Sequence, residues 1–258
     1  MFIKSFQSEW LKKKRSLASW LVVAGASFVP SIIFAARVKN HAALGAFYAS
    51  DDFWLKTWNQ SWEAMAVALL PMGVVLATGL IAQIEYKNNA WKQLHATPQG
   101  FTTIYFAKFL VVAVMLGQVF VLFLAAVYLS AVLPALLFAN VSYPAAPIPY
   151  GLFFEQTARY FVDCLPVLGL QYLLSVHFRN FLVPVGVGFG LWFLGIGMLS
   201  WDYSWLFPYN HGTIDFLLNA GQFKKAPPPV DVGLLAVFYF AVFTAAGYFL
   251  YLYKSDKA

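Results

Sequence analysis

The chain has 258 residues, of which 61% are hydrophobic and 11% charged, against roughly 25% charge in an average soluble domain. A folded core cannot hide that much apolar surface from water, which excludes a soluble globular protein and makes lipid the solvent. The formal charge of +6 does not signal nucleic acid either, because Phe, Tyr and Trp sit in hydrophobic runs instead of alternating with the basic residues.

In residues 1–16, Phe2, Ile3, Phe6, Trp10 and Leu17 share one helical stripe opposite Lys4, Lys12 and Arg15, the pattern of a helix lying in the membrane interface. The apolar run 17–36 follows. Basic residues before an apolar run also describe a signal peptide, but this run is too long for the usual core and lacks a small-x-small cleavage site, so it is read as an uncleaved first span. Further spans are predicted at 62–84, 107–129, 158–176, 181–200 and 232–253, each near the roughly 20 residues that cross a hydrocarbon core about 30 Å thick. The expectation is an all-α polytopic membrane protein, one domain over 1–258 with six spans. The third region is anomalous. Its apolar stretch continues through Pro134 to Ala139, too long for one ordinary span and too short for two, which predicts a helix broken near Pro134 and then an irregular segment, "NVSYPAAPIPYG".

Lysine and arginine in short loops set the orientation. With both termini in the cytoplasm, Lys4, Lys12, Lys13, Lys14, Arg15, Lys87, Lys92, Lys108, Arg179, Lys254 and Lys257 lie inside or at the inner edge. Arg37, Lys39, Lys56, Lys224 and Lys225 are then outside, with Arg159 near the outer edge. The outer connections become 37–61, 133–157 and 201–231, and the inner ones 85–100 and the tight 177–180. The last outer loop carries Trp201, Trp205, Phe207 and Tyr209, a content suited to a segment dipping into the outer leaflet.

Chemistry-bearing patterns are few. No glycine opens a Walker A stretch, so any ATP must be bound by another chain. "GVGFG" at 186–190 has no preceding strand, and Gly186 and Gly190 are read as a small-xxx-small pair for close helix packing. His41, His95, His177 and His211 fall in separate loops or edges, and Cys164 is alone in an apolar segment, so no metal site, catalytic set or bound cofactor is expected. Glu155, Arg159 and Asp163 follow at i, i+4 spacing and can form a ladder of ion pairs on one helix face. An interfacial salt bridge is the favoured reading, and an outer gate or substrate-path element is the alternative. Gln171 on the same span is read as an interhelical hydrogen bonder.

The polar stretch "EYKNNAWKQLHATPQG" reads as a helix from Glu85 to about Thr97, stopped by Pro98. Trp91, Leu94 and His95 form a ridge, with Lys87 and Asn88 on the same face one turn earlier. An aromatic anchor ringed by hydrogen-bonding groups suits a protein groove better than lipid. The plainer alternative is a polar loop that only reverses the chain.

"SEWLKKKRS" before the first span, and "EYKNNAWKQLHATPQG" followed by "IYFAK", resemble the permease subunits of ABC-2 type transporters, particularly the bacitracin and lantibiotic immunity kind. Glu85, Trp91, Lys92, Leu94 and Pro98 stand where that family has an E, a WK-x-L and a P; Ala90 stands where Thr is frequent. The resemblance implies a half-transporter in the bacterial cytoplasmic membrane that pairs with a second permease copy. It implies two ATPase subunits that hold ATP and Mg and receive the 85–100 loop as a coupling helix. It further implies short re-entrant helices before the last span, and amphiphilic substrates such as peptide antibiotics, lipids or drugs. The competing classes are a membrane-embedded enzyme, which needs ionisable groups converging at one depth, and an ion-driven secondary transporter, which needs inverted repeats with matching broken helices.

Overall fold

A computed structural model describes residues 2–14, 16–87 and 100–255, and all regular elements among them are helical. They are α1 (Phe2–Lys14), α2 (Leu17–Lys39), α3 (Leu44–Tyr48), α4 (Phe53–Ala64), α5 (Leu70–Lys87), α6 (Phe101–Leu137), α7 (Tyr150–His177), α8 (Leu182–Met198), α9 (His211–Asn219) and α10 (Val232–Ser255). A π turn, Met65–Leu69, joins α4 to α5 without a break, and 3-10 turns precede α3 and α9. By length and composition Leu17–Lys39, Phe53–Ile84, Phe101–Leu137 and Val232–Tyr253 are long and apolar enough to cross a membrane, with Leu182–Met198 a shorter apolar helix.

α6 settles the anomaly of the third apolar stretch. Its 37 residues make a rod of about 55 Å, against a hydrocarbon core of about 30 Å. Protein covers the excess at both ends. α1 packs along the N-terminal end, and Tyr48, Phe53 and Trp54 from α3 and α4 cluster with Ala131 and Val141 at the C-terminal end. The helix does not break at Pro134; it continues to Leu137. Proline has no N–H for the carbonyl four residues back, here that of Ser130. The Arg37 guanidinium takes over, donating from Nη1 to Ser130 O at 3.0 Å and from Nη2 to Thr57 Oγ1 at 2.7 Å. Arg37 is therefore buried in the bundle, 5% exposed, rather than lying in an outer loop.

The same device recurs in the second rod. Residues 53–61, expected in the outer connection, form α4, and its Trp54, Trp58 and Trp62 are buried on one stripe at i, i+4 spacing. Trp62 packs against Phe123 and Tyr160 with ring centroids 4.9 and 4.4 Å away, and Trp58 stacks on Phe153. Pro71 lies one residue into α5 and leaves the Val67 carbonyl, inside the π turn, without its usual donor. The Trp192 indole of α8 donates to Val67 O at 2.8 Å.

One packing expectation is corrected. Gly186 and Gly190 face outward with nothing within 4 Å of a modest side chain placed there, whereas a Cβ on Gly188 would meet Gln171 Nε2 at 2.5 Å and Val75 Cγ1 at 2.7 Å. The small-residue contact thus exists two residues from the expected pair, on the opposite face. On α1 the stripe turned into the bundle is Ser5, Glu9 and Lys13, all buried, while Phe2, Ile3 and Leu11 are exposed. Phe6 and Trp10 of the apolar stripe are partly buried against the core, and the polar stripe finds partners on α6.

Candidate functional site

The N-terminal end of α6 gathers the first candidate site. Glu9 and Lys108, 6% and 2% exposed, form an ion pair of 3.0 Å between α1 and α6. Lys12 closes on the other Glu9 oxygen, and Lys13, lying 4.0 Å over the Trp10 ring, donates to Gln118 Oε1 at 2.7 Å. Burial opposes the Glu9 carboxylate, but Lys108 and Lys12 more than offset it and hold its pKa below the ordinary 4.5. One turn before Lys108, Tyr105 is the hub of a second contact: its ring meets Tyr172 of α7 and Tyr248 and Tyr251 of α10, and its carbonyl accepts a bond from Tyr172 Oη at 2.7 Å. The first two turns of α6 are therefore held from three sides, by α1, α7 and α10, immediately after the 88–99 segment.

Of the residues expected to bind a partner, Glu85 and Lys87 end α5, while Asn88, Trp91, Lys92, Leu94 and His95 lie outside the described residues.

An apolar cavity of about 200 Å³ lies beside the π turn, between α2, α5, α6, α7 and α8. Leu21, Gly25, Met65, Met72, Met115 and Phe189 are among the residues lining it. Methionine, unbranched and polarisable, suits a wall that must fit more than one apolar shape.

The N-terminal half of α7 holds the second group of expected site residues. The ladder on α7 is divided. Arg159 pairs with Glu155 at 3.3 Å and both are exposed, while Asp163, 2% exposed, turns into the bundle and forms no ion pair with Arg159. The reason is helical rotation against a neighbour: α9 covers this part of α7, so Asp163 meets protein where Glu155 and Arg159 meet the surface. Gln171 donates to Tyr209 Oη at 2.6 Å, tying α7 to the turn before α9 as an interhelical hydrogen bonder should.

A family description, ABC-2 family transporter protein, matches residues 5–195. The chain belongs to that family. It is a multi-pass membrane protein and the membrane subunit of an ABC transporter. No curated protein and no solved structure matches it.

In this ABC-2 subunit the matched span runs from α1 through most of α8 and so includes the Glu9–Lys108 clasp, both rods and the cavity. The residues that sequence reasoning missed are those that act across long separations: Glu9, Lys108, Arg37 and Trp192. Glu9 had a readable sign, since Ser5, Glu9 and Lys13 repeat at i+4 on a helix whose other face is apolar. Arg37 and Trp192 had another: prolines at 134 and 71 interrupt apolar runs, and each demands a donor from elsewhere. Which residue supplies it was not readable.

Proposed function

We propose that this subunit is the permease half of an ATP-driven exporter, driven through the 85–100 loop by separate ATPase subunits and paired with a second permease copy. Its substrate is amphiphilic: a peptide antibiotic, a lipid or a drug. Membership of the ABC-2 family supports the reading. The observation that carries it is the Glu9–Lys108 clasp, placed two turns after the loop segment and buried between α1 and α6. A push on the loop reaches α6 directly, and α6 cannot shift without displacing α1 or separating a buried ion pair. Separating such a pair costs several kcal/mol, so the inner end moves as a unit and the motion travels up α6, beside the apolar cavity. That cavity accommodates the apolar part of an amphiphile and holds no charge to bind its head. The bacitracin and lantibiotic immunity kind is the proposed branch, and the bacterial cytoplasmic membrane, with both termini inside, is the proposed location.

The test is co-purification with the ATPase encoded beside it, followed by ATPase and transport assays in proteoliposomes. Trp91→Ala and Leu94→Asp are expected to weaken ATPase association or to uncouple hydrolysis from transport while the chain still inserts; full association and full coupling in both variants would sink the loop assignment. Lys108→Met is expected to leave ATPase association intact and lower transport per ATP hydrolysed about tenfold, the effect of roughly 1.4 kcal/mol on the coupling step. Unchanged stoichiometry would remove the clasp from the mechanism.

A further inference from the structure

The buried acid Asp163 has no role in the proposed coupling, and its setting is unusual. Both of its oxygens are buried and neither receives a hydrogen bond from a donor in the described chain. A lone carboxylate in that state would carry a large desolvation penalty. Its neighbour is a second acid. α9 lies along α7 so that Gly212 approaches the Asp163 Cβ, which would lie 3.8 Å from a Cβ on that glycine, and Asn219 donates to Tyr160 Oη at 3.4 Å. Between these two contacts, one turn after Gly212, stands Asp215, 6% exposed, and its carboxyl faces that of Asp163.

Two carboxyls placed face to face at such low exposure cannot both be ionised, and one proton between them supplies the donor that Asp163 lacks. The other charged and titratable groups around the pair do not supply it. Arg159, one turn outward on α7, is paired with Glu155 at the surface. Asp231, exposed ahead of α10, accepts from the Leu234 amide at 3.1 Å and adds negative charge. Tyr160 accepts from Asn219, and Cys164 is a buried neutral thiol. On α9 itself His211 bonds the Trp205 carbonyl through Nε2 at 3.1 Å. Of the other helices, α8 has no titratable residue, those of α5 lie at its far end, Glu63 at the end of α4 is exposed, and Tyr239 of α10 donates to the Leu206 carbonyl at 2.9 Å. A metal ion is a poorer occupant, because it needs several oxygen ligands and no group of three or more acidic, histidine or cysteine side chains converges among the described residues.

We infer that Asp163 and Asp215 form a proton-binding site in which a single shared proton fastens α9 to α7. With the proton in place, the short outer helix is bonded to the bundle. Without it two like charges are buried against each other, and α9 is driven off α7, opening the outer end. The ligand is H⁺ alone, and the site needs no ATPase subunit.

Infrared spectroscopy of the full chain in lipid nanodiscs reads the proton directly. At pH 7 the wild type is expected to show a carboxylic-acid C=O band that shifts in D₂O, about three units above the ordinary aspartate value of roughly 3.9. Asp163→Asn is expected to abolish it, since Asp215 then bonds to an amide and ionises. If Asp163→Asn does not fold, Asp215→Asn serves: the band must move or vanish. Absence of the band in the wild type overturns the site, as does a band that both variants leave unchanged. A band that emerges only after chelator treatment also overturns it, in favour of a bound cation.

Discussion

Two prolines in this bundle face the same difficulty and are rescued differently. Pro134 in α6 orphans the Ser130 carbonyl, and a buried cation, Arg37, satisfies it; Pro71 in α5 orphans Val67, and a neutral indole, Trp192, satisfies it. Arg37 also holds Thr57 and lies over the faces of Phe47, Tyr48 and Phe53 at 5.4–5.9 Å. Trp192 makes one bond within a locally widened π turn beside a cavity. The difference teaches where the bundle is built to be rigid. The C-terminal end of α6 is locked by a charge that serves several groups, whereas the middle of the α4–α5 rod depends on one weak tie that can be released at small cost.

Three substitutions break or sharpen that contrast, each read by thermal unfolding of the purified chain in detergent. Arg37→Met leaves Ser130 O and Thr57 without their donor and is expected to cost about 1.5–3 kcal/mol, the scale of hydrogen bonds to a charged group. Adding Pro134→Ala returns the missing amide, so the penalty of Arg37→Met must shrink in that background; an unchanged penalty would show that Arg37 acts only through Thr57 and the aromatic rings. Gly188→Ala, one turn before Trp192, pushes α8 away from Val75 and Gln171 and is expected to cost about 1–3 kcal/mol by overpacking, with Gly186→Ala near neutral in the isolated chain. If Gly186→Ala is the more damaging of the two, the assigned packing face is wrong. Trp192→Phe removes the single bond to Val67 and is expected to cost about 1 kcal/mol. With Pro71→Ala present its effect should approach zero, and a full effect there would mean that the indole contributes by packing alone.

Much of the fold was legible because it rests on local quantities. The apolar runs 17–36, 107–129 and 232–253 fall within the helices Leu17–Lys39, Phe101–Leu137 and Val232–Ser255, whereas the aromatic 201–231 segment, expected to dip into the outer leaflet, has Tyr209 and Phe216 buried in the core. The errors have one kind of cause. Phe53–Ser61 was placed in the connection 37–61, yet its two tryptophans, Trp54 and Trp58, are buried on one face that Trp62 continues. Arg37 was placed in the outer connection by the loop-charge rule, and α6 was expected to break because proline normally breaks a helix. In each case a partner far away in sequence overrode the local preference. Of the candidate site, Asp163 was singled out for its depth on α7, but its neighbour Asp215 was not, since nothing in the spacing brings α9 onto α7.

Taken alone, the sequence determined the solvent, the helical class and the positions of most helices, because hydrophobicity, helix length and turn residues act over a few residues at a time. Only the tertiary structure decided which polar groups are satisfied and by what. A carbonyl freed by proline, a buried Glu9 or a buried Asp163 must find its donor within about 3 Å, and which residue stands there depends on how distant helices pack.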